Sequence, residues 1–165
     1  MIIYEEVLKE FQKQKVKYVI VGGLALNLLG ANRATYDLNI LVQLNRDNLE
    51  KIVGILKKHK YYVKQPVDPM GIADKETRED WIKNKHLKAF NFYKDSTGEE
   101  VDIILESPVT FERSRKNSRI IKINGLSIRV ISPDDLIKMK KHAGREVDKL
   151  DIEVLKEIKR VEKKL

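Results

Sequence analysis

The sequence predicts a single α+β domain that spans residues 1–165. Its small mixed or antiparallel sheet is expected to carry flanking helices, with a helical C-terminal portion at about 132–165. Three observations favour this class. The sequence has short β-branched runs that suit strands, stretches with apolar residues at helical spacing, and no repeat, low-complexity tract or flexible linker.

The first half of the chain is predicted to alternate helices with strands. Val7, Leu8 and Phe11 share one face of the first helix, and Gly22-Gly23 separates a nearly continuous apolar strand from the second helix. Asn45 is the expected N-cap of the third helix. The predicted elements are a helix over 4–14, a strand over 16–21, a helix over 24–29, a strand over 36–42 and a helix over 46–59.

The second half is predicted to begin with strands and to end with helices. Residues 66–86 are ambiguous between a loop and a short helix around Trp81. Asn124-Gly125 is the strongest hairpin signal, and Ser132-Pro133 is typical of a helix start. The predicted strands are 61–63, 87–93, 101–105, 120–123 and 126–131, and the predicted helices are 132–144 and 146–164. The residues expected on the inward face of the last helix are Leu150, Val154, Ile158 and Val161.

Composition narrows the classes of function. The sequence has no cysteine, so disulfide frameworks and thiolate metal sites are excluded, and an intracellular setting is expected. No targeting segment is visible, and the most apolar stretch, residues 18–31, is shorter than the ~20 residues of a membrane span. We therefore expect a cytoplasmic protein without a membrane partner.

The charge of the chain points to anionic ligands. The net charge is +8, from 33 basic and 25 acidic residues, and a basic surface attracts nucleoside triphosphates, RNA or DNA. Part of the excess lies in one run that no acid interrupts after Glu112. Its basic residues are Arg113, Arg115, Lys116, Arg119 and Lys122. Two interpretations stay open: a solvated loop and strand edge, or an electrostatic funnel for phosphates.

Polar side chains interrupt two apolar strands. Tyr36 is predicted on the apolar face of its strand, whereas Asp37 and Asn39 leave the other face about 7 Å apart. Asp102 lies within a second apolar strand, where a carboxylate is costly unless it is paired or holds a cation. If the two strands are neighbours, Asp37, Asn39 and Asp102 converge on a site for magnesium. Alternatively, both acids lie near strand ends in water.

The glycine pair offers a place for phosphate. Gly22-Gly23 joins a buried strand to the start of a helix, so backbone amides and the helix dipole become available to an anion. Such a turn is common and weakly informative by itself. The sequence has neither a P-loop nor a dinucleotide-binding fingerprint, so the usual phosphate motifs are excluded.

Together these motifs resemble the nucleotidyltransferase superfamily with the DNA polymerase beta-like fold. That family has a glycine turn, then an Asp-x-Asp strand, then a third Asp on a later strand, which Asp102 matches. The C-terminal tail resembles small bacterial and archaeal members, some of which serve in toxin–antitoxin pairs. The resemblance covers about residues 16–155. The matching residues are Val21-Gly22-Gly23-Leu24-Ala25, Gly30, Arg33, Thr35, Asp37-Leu38-Asn39-Ile40, Leu136-Ile137-Lys138-Met139-Lys140, Ala143-Gly144-Arg145, Asp148 and Asp151-Ile152.

The resemblance implies transfer of a nucleoside monophosphate from a triphosphate, ATP first, to a protein, RNA or small-molecule acceptor. Pyrophosphate would leave, and two Mg²⁺ ions would stabilise the attacking and leaving oxygens. Asp37 would bridge the metals, and Asp102 would help to hold the ion that activates the acceptor hydroxyl. Both would therefore be catalytic residues, with Asn39 as a third metal ligand.

The same resemblance implies a set of nucleotide-binding residues. Gly22 and Gly23 would cradle the β- and γ-phosphates. Lys140 matches a C-terminal lysine that can reach phosphate, although an exposed helix lysine is an equally good interpretation. Arg33 either belongs to this set or, with Thr35, only fixes the loop.

Asn39 departs from the family pattern. Its amide oxygen can bind magnesium but carries no charge, so the formal negative charge of the three ligands falls from three to two. The triphosphate brings its own charge, so we expect nucleotide binding to survive better than catalysis. Glu99, Glu100 and Glu106 are candidates to replace the missing charge, but Glu99 and Glu100 are better explained as turn acids.

Three hypotheses about function follow from the sequence. The first is an active nucleotidyltransferase. The second is a catalytically degenerate nucleotide-binding or regulatory protein, such as the partner of a toxin. The third is an RNA- or DNA-binding module that uses the basic residues between positions 113 and 122.

Overall fold

Residues 3–165, which this computed structural model describes, contain seven strands in one mixed sheet. The strands are β1 (Tyr18–Val21), β2 (Asp37–Val42), β3 (Tyr62–Val63), β4 (Ala89–Lys94), β5 (Glu99–Ile104), β6 (Arg119–Ile123) and β7 (Leu126–Val130). Their order across the sheet is β3-β4-β5-β2-β1-β7-β6. The pairs β2–β5 and β1–β7 are parallel and the other neighbours are antiparallel. The predicted α+β class is confirmed.

Helices flank this sheet and close the chain. They are α1 (Glu5–Lys13), α2 (Gly22–Leu28), α3 (Arg46–Lys58), α4 (Lys75–Asn84), α5 (Phe111–Asn117), α6 (Pro133–Ala143) and α7 (Glu146–Lys163), with a short 3-10 helix at Pro69–Ala73. None of the helices within the described residues is both long and apolar enough to cross a bilayer.

Local capping explains where several elements begin and end. The side chains of Asn45 and Ser132 accept hydrogen bonds from backbone amides inside α3 and α6, as N-caps do. Gly144 ends α6 with a φ of 66°. Asn124 and Gly125 have φ angles of 49° and 79°, as a two-residue type I′ hairpin between β6 and β7 requires. These features confirm the predicted boundaries.

The core lies between the sheet and the helices that pack on it. All four residues of β1 are buried, and α1 buries its apolar face of Val7, Leu8 and Phe11, with the ring of Phe11 5.3 Å from that of Tyr18. On the other side of β2, Trp81 of α4 stacks on Phe90 of β4 at 5.3 Å between ring centroids. Between these two packed regions, β2 and β5 lie side by side in the sheet.

Several sequence expectations are corrected by the structure. The ambiguous stretch 66–86 forms the 3-10 helix and α4. In the basic run, Arg113, Arg115 and Lys116 lie in α5 rather than in a loop, whereas Arg119 and Lys122 lie in β6 at the edge of the sheet. Tyr36 precedes β2 and is exposed, so its predicted place on the apolar face is wrong. The glycine pair does not precede α2 but forms its first two residues.

The inward face of α7 also differs from the prediction. Leu150, Val154 and Val161 are exposed. The residues that α7 buries are Asp148, Asp151, Ile152 and Leu155. Hydrophobic spacing gave the wrong face because two of the buried positions are aspartates, and a buried aspartate is stable only with partners that a local pattern does not reveal.

Candidate active site

Four polar residues form a square on one face of β2 and β5. Asp37 pairs with Glu100 and Asn39 pairs with Asp102 in the parallel register of the two strands. Residues two apart in a strand share a face, so these four side chains leave the sheet together. Leu38 and Val101, which lie between these residues and face the core, are fully buried. Their burial fixes the register of the two strands.

Three carboxylates of this square lie within reach of one cation. Oxygen atoms from Asp37, Glu100 and Asp102 all lie within 4.8 Å of one another. We call these three residues the carboxylate trio. Asp37 and Asp102 were named from the sequence, whereas the interpretation of Glu100 as a turn acid is wrong, because it lies within β5. The only sequence signal for Glu100 is its spacing of two from Asp102.

The other acids suggested as compensation for Asn39 do not join this cluster of carboxylates. A carboxylate oxygen of Glu99 accepts a hydrogen bond of 2.5 Å from the hydroxyl of Tyr61. Glu106 lines the cleft that Asn39 also lines, and lies 3.6 Å from Nε2 of His142. Within the described chain, Glu100 is therefore the acid that adds charge beside Asp37 and Asp102.

The trio is electrostatically uncompensated. Burial, and then the Glu100 carboxylate, raise the pKa of Asp37. Burial likewise raises the pKa of Asp102, and the negative charges of Asp37 and Glu100 raise it further. The ammonium of Lys64 lies 2.6 Å from Oε1 of Glu100, and this hydrogen bond raises the pKa of Lys64. One ammonium against three carboxylates leaves room for more positive charge.

An amide pair fixes the orientation of Asp102. Nδ2 of Asn91 donates a 2.6 Å hydrogen bond to Oδ1 of Asp102. The amide of Gln65 holds Asn91 twice, because its Nε2 donates to Oδ1 of Asn91 at 2.7 Å and its Oε1 accepts from the backbone amide of Asn91 at 3.1 Å. With Oδ1 of Asn91 already accepting from Gln65, the NH₂ group must point to the carboxylate.

Tyr4 supports the trio from the backbone side. Its hydroxyl accepts a 3.0 Å hydrogen bond from the amide of Glu100 and lies 2.8 Å from the carbonyl oxygen of the same residue. It also contacts the carbonyl oxygen of Tyr36, which precedes Asp37. Burial raises the pKa of Tyr4 to about 12. This neutral hydroxyl therefore ties the starts of β2 and β5 together.

The glycine bend lies beside the square. Gly22 has a φ of 72°, and a Cβ built there would lie 2.5 Å from Nδ2 of Asn39. A Cβ at Gly23 would lie 2.7 Å from Oγ1 of Thr35. The backbone conformation of Gly22 therefore favours glycine, and a side chain at Gly23 would have to displace that of Thr35. The two glycines are half-buried, and Gly22 lines a cleft of about 220 Å³ together with Asn39 and Lys140.

Lys140 and Arg33 belong to a buried ion network rather than to a free basic surface. Nζ of Lys140 lies 2.8 Å from Asp151 and 3.6 Å from Asp148, and Lys140 is 6% exposed. Arg33 forms an ion pair with the same Asp151. Arg145 completes the network at 2.8 Å from Asp148. Lys140 is thus not the exposed helix lysine of the alternative interpretation, although its side chain still reaches the cleft.

The residues present fit a hard divalent cation. The trio offers only carboxylate oxygens and carries excess negative charge, which is the donor set that Mg²⁺ prefers. Oδ1 of Asn39 is buried and accepts no hydrogen bond from residues 3–165. This oxygen is therefore also available as a metal ligand. In chemical terms the arrangement can bring a bound cation close to the glycine bend and its cleft.

Comparisons with known proteins identify the family and the fold of this chain. The family model described as aminoglycoside-2''-adenylyltransferase matches residues 4–155. No curated protein sequence matches the chain. The fold is similar to that of the lincosamide antibiotic adenylyltransferase LnuA, solved with lincomycin bound, at a TM-score of 0.61 and 18% identity over 92% of this chain and 93% of the other.

Two further solved structures share the fold. A candidate nucleotidyltransferase from Thermotoga maritima has a TM-score of 0.58 and 20% identity, with 90% of this chain and 86% of the other covered. ANT(2")-Ia, in complex with adenylyl-2"-tobramycin, has a TM-score of 0.57 and 12% identity, with 93% and 85% covered. The similarity to the nucleotidyltransferase superfamily that the sequence motifs indicated is confirmed.

Proposed function

The chain belongs to the aminoglycoside-2''-adenylyltransferase family, and we propose that it transfers the adenylyl group of ATP to a hydroxyl of a small-molecule acceptor. The observation that carries this proposal is the carboxylate trio beside the glycine bend. Two of the structures with this fold were solved with an antibiotic or an adenylylated antibiotic, which favours a small hydroxylated acceptor over a protein or RNA.

The proposed reaction is an in-line displacement at the α-phosphorus of ATP. The acceptor oxygen forms a bond to this phosphorus, and the bond from the α-phosphorus to the α,β-bridging oxygen breaks. Pyrophosphate leaves with the electron pair, and the acceptor hydroxyl releases its proton to solvent. The protein has little covalent chemistry to perform, so position and charge dominate.

The carboxylate trio would hold Mg²⁺. When bound, the ion neutralises charge on the phosphate oxygens and lowers the pKa of the acceptor hydroxyl. Asp37 and Glu100 lie side by side at the start of β2 and β5, and Asp102 lies one pair further along. Asn91 and Gln65 keep the Asp102 carboxylate oriented.

The glycine bend and the cleft would bind the nucleotide. Gly22 and Gly23 let the backbone approach the phosphates without a side chain in between. Lys140 lines the cleft, and its ion pairs with Asp151 and Asp148 fix the position of its ammonium group. Arg33 would support the nucleotide site indirectly. Its side chain pairs with Asp151, and its backbone forms hydrogen bonds with the side chain of Asn27.

The test is adenylyl transfer with a defined set of acceptors. The protein is incubated with Mg²⁺ and ATP labelled at the α-phosphate, with tobramycin or lincomycin as acceptor. We expect label on an acceptor and release of pyrophosphate, and loss of both in Asp37→Asn. An absence of nucleotide binding and of transfer, in both the parent and Asn39→Asp, would sink the proposal.

Asn39 favours a second candidate function, a nucleotide-binding protein with little or no turnover. An amide in place of the expected carboxylate weakens a metal site more than it weakens contacts to the triphosphate. This candidate predicts Mg-ATP binding in calorimetry that Asp37→Asn weakens, with transfer that appears only in Asn39→Asp. The expectation of a toxin–antitoxin partner stays a prediction.

A further inference from the structure

A second cleft lies at the opposite end of β1 from the glycine bend. Its volume is about 270 Å³, and its lining includes Lys15, Lys17, Arg115, Ser127 and Arg129. β1 runs for three residue steps from Tyr18 to Val21, so about 10 Å of strand separates this cleft from the candidate active site. The acidic residues and ion network described above do not line it.

The cations of this cleft lack acidic partners. Arg113 and Arg119, which belong to the same basic run, are neutralised by Asp135 and Glu162. By contrast, no carboxylate of residues 3–165 lies within 4.0 Å of the charged nitrogens of the four basic lining residues. The three arginines of the basic run therefore divide into two that are paired with acids, Arg113 and Arg119, and Arg115, which lines the cleft.

The two arginines line the same cleft, and each is anchored by a hydrogen bond to the surrounding fold. Arg115 donates a 2.9 Å hydrogen bond to the carbonyl oxygen of Tyr18, and Arg129 donates one of 3.4 Å to the hydroxyl of Ser118. Both arginines are half-buried. Burial, and then the positive charge of Arg129, lower the pKa of Arg115. Like charges held together in this way are unfavourable unless an anion lies between them.

We propose that this cleft binds a phosphate group through Arg115 and Arg129, with Lys17 and Lys15 at its rim. The planar guanidinium offers paired donors that match the oxygens of a phosphate, and lysine adds a point charge. The phosphate can come from a polyphosphate or from the backbone of a nucleic acid. Lys122, which pairs with Ser127 across β6 and β7 and is exposed, would extend the positive surface along a longer chain of phosphates.

The test uses inorganic pyrophosphate and a short single-stranded oligonucleotide, with EDTA present so that the carboxylate trio holds no metal. Calorimetry measures binding to the parent, Arg129→Gln, Arg115→Gln and Lys17→Gln. We expect saturable binding of pyrophosphate that each arginine change weakens by about tenfold. Lys116→Gln is the matched control, because it removes an exposed charge from the same helix as Arg115 without touching the cleft.

The two sources of phosphate give different results. If the oligonucleotide competes with pyrophosphate and its affinity falls steeply as the salt concentration rises, the cleft binds nucleic acid. Binding of pyrophosphate alone assigns it to a polyphosphate. The inference is overturned if neither probe binds, or if Arg129→Gln and Arg115→Gln weaken binding no more than Lys116→Gln does.

Asp37→Asn separates this site from the proposed catalysis. It should abolish adenylyl transfer and leave metal-free binding of pyrophosphate unchanged. Tighter binding in Asp37→Asn would place the anion beside the trio, where a repelling carboxylate has been removed, and would overturn the inference. Because Arg115 also supports the backbone of β1, thermal unfolding of Arg115→Gln is measured alongside, and Arg129→Gln tests the cleft independently if that variant does not fold.

Discussion

The carboxylate trio and the buried ion network differ in how far their negative charges are balanced by positive ones. The trio collects Asp37, Glu100 and Asp102 around the single ammonium of Lys64. In the network, Asp148 and Asp151 meet three cations, Arg33, Lys140 and Arg145. Both groups are taken partly out of water, but only the network contains enough opposite charge to offset that cost.

This contrast separates a candidate binding site from a structural support. A compensated cluster is stable as it stands, and it joins α6 and α7 to the loop before β2. An uncompensated cluster is a place where a bound cation would supply the missing charge. The following four predictions test the contrast, first in the network and then in the trio.

The largest expected effect belongs to the network. Asp151→Ala leaves the buried ammonium of Lys140 with only the more distant Asp148. We expect the free energy of unfolding to fall by about 3–5 kcal/mol. Urea unfolding measures it. Glu157→Ala, which breaks the exposed pair with Arg160, is the control and should have little effect. Equal losses in the two variants would contradict a structural role for the network.

Asn91→Leu removes the amide that orients Asp102 while it keeps the size of the side chain. We expect the affinity for Mg²⁺, measured by calorimetry, to fall by about 10–100-fold. Asn84→Leu breaks a similar bond, to Asp80 on the surface, and should leave the affinity unchanged. Unchanged affinity in Asn91→Leu would show that Asp102 needs no such support.

Asn39→Asp adds a fourth carboxylate to the square on β2 and β5. We expect Mg²⁺ affinity to rise by about tenfold, and adenylyl transfer to rise with it, because the added charge is attracted to the ion. Thr97→Asp adds the same charge in the turn before β5 and is the control. A fall in affinity would mean that Asp37, Glu100 and Asp102 already supply all the negative charge that the cation site can accommodate.

The smallest expected effect is a pH dependence of stability in the metal-free protein. Burial raises the pKa of Asp102 above its ordinary value of 3.8, so the folded state binds more protons than the unfolded state in that window. Stability therefore falls as pH rises from about 3.8 through the raised pKa of the folded state. Asp102→Asn removes this fall and should be more stable relative to the parent at neutral pH than in acid.

Asp134 provides the control of opposite sign. A hydrogen bond from Lys159 lowers the pKa of Asp134, so its contribution to stability is present above its ordinary pKa and is lost as pH falls through the lowered one. Asp134→Asn should therefore cost stability at neutral pH and not in strong acid. Thermal melts across pH measure both variants. The same sign in the two would refute the distinction between uncompensated and compensated carboxylates.

Much of the site was accessible from sequence because its signals are local. Asp37 and Asp102 stand out as carboxylates within apolar strands, and Gly22-Gly23 stands out as a break between a strand and a helix. Glu100 was misjudged and Lys64 and Asn91 were not identified. Their roles arise from strand pairing, which brings together residues that are 27 to 63 positions apart from Asp37.

The sequence by itself determined the elements whose cause lies within a few residues. The Asn124-Gly125 hairpin, the caps at Asn45 and Ser132, and the alternation that separates Asp37 from Leu38 all follow from backbone geometry and nearby hydrogen bonds. Only the tertiary structure decided which charges are neutralised. It buried Asp151 with Lys140 and left Asp37, Glu100 and Asp102 without enough cations, because ion pairing depends on distances between distant segments of the chain.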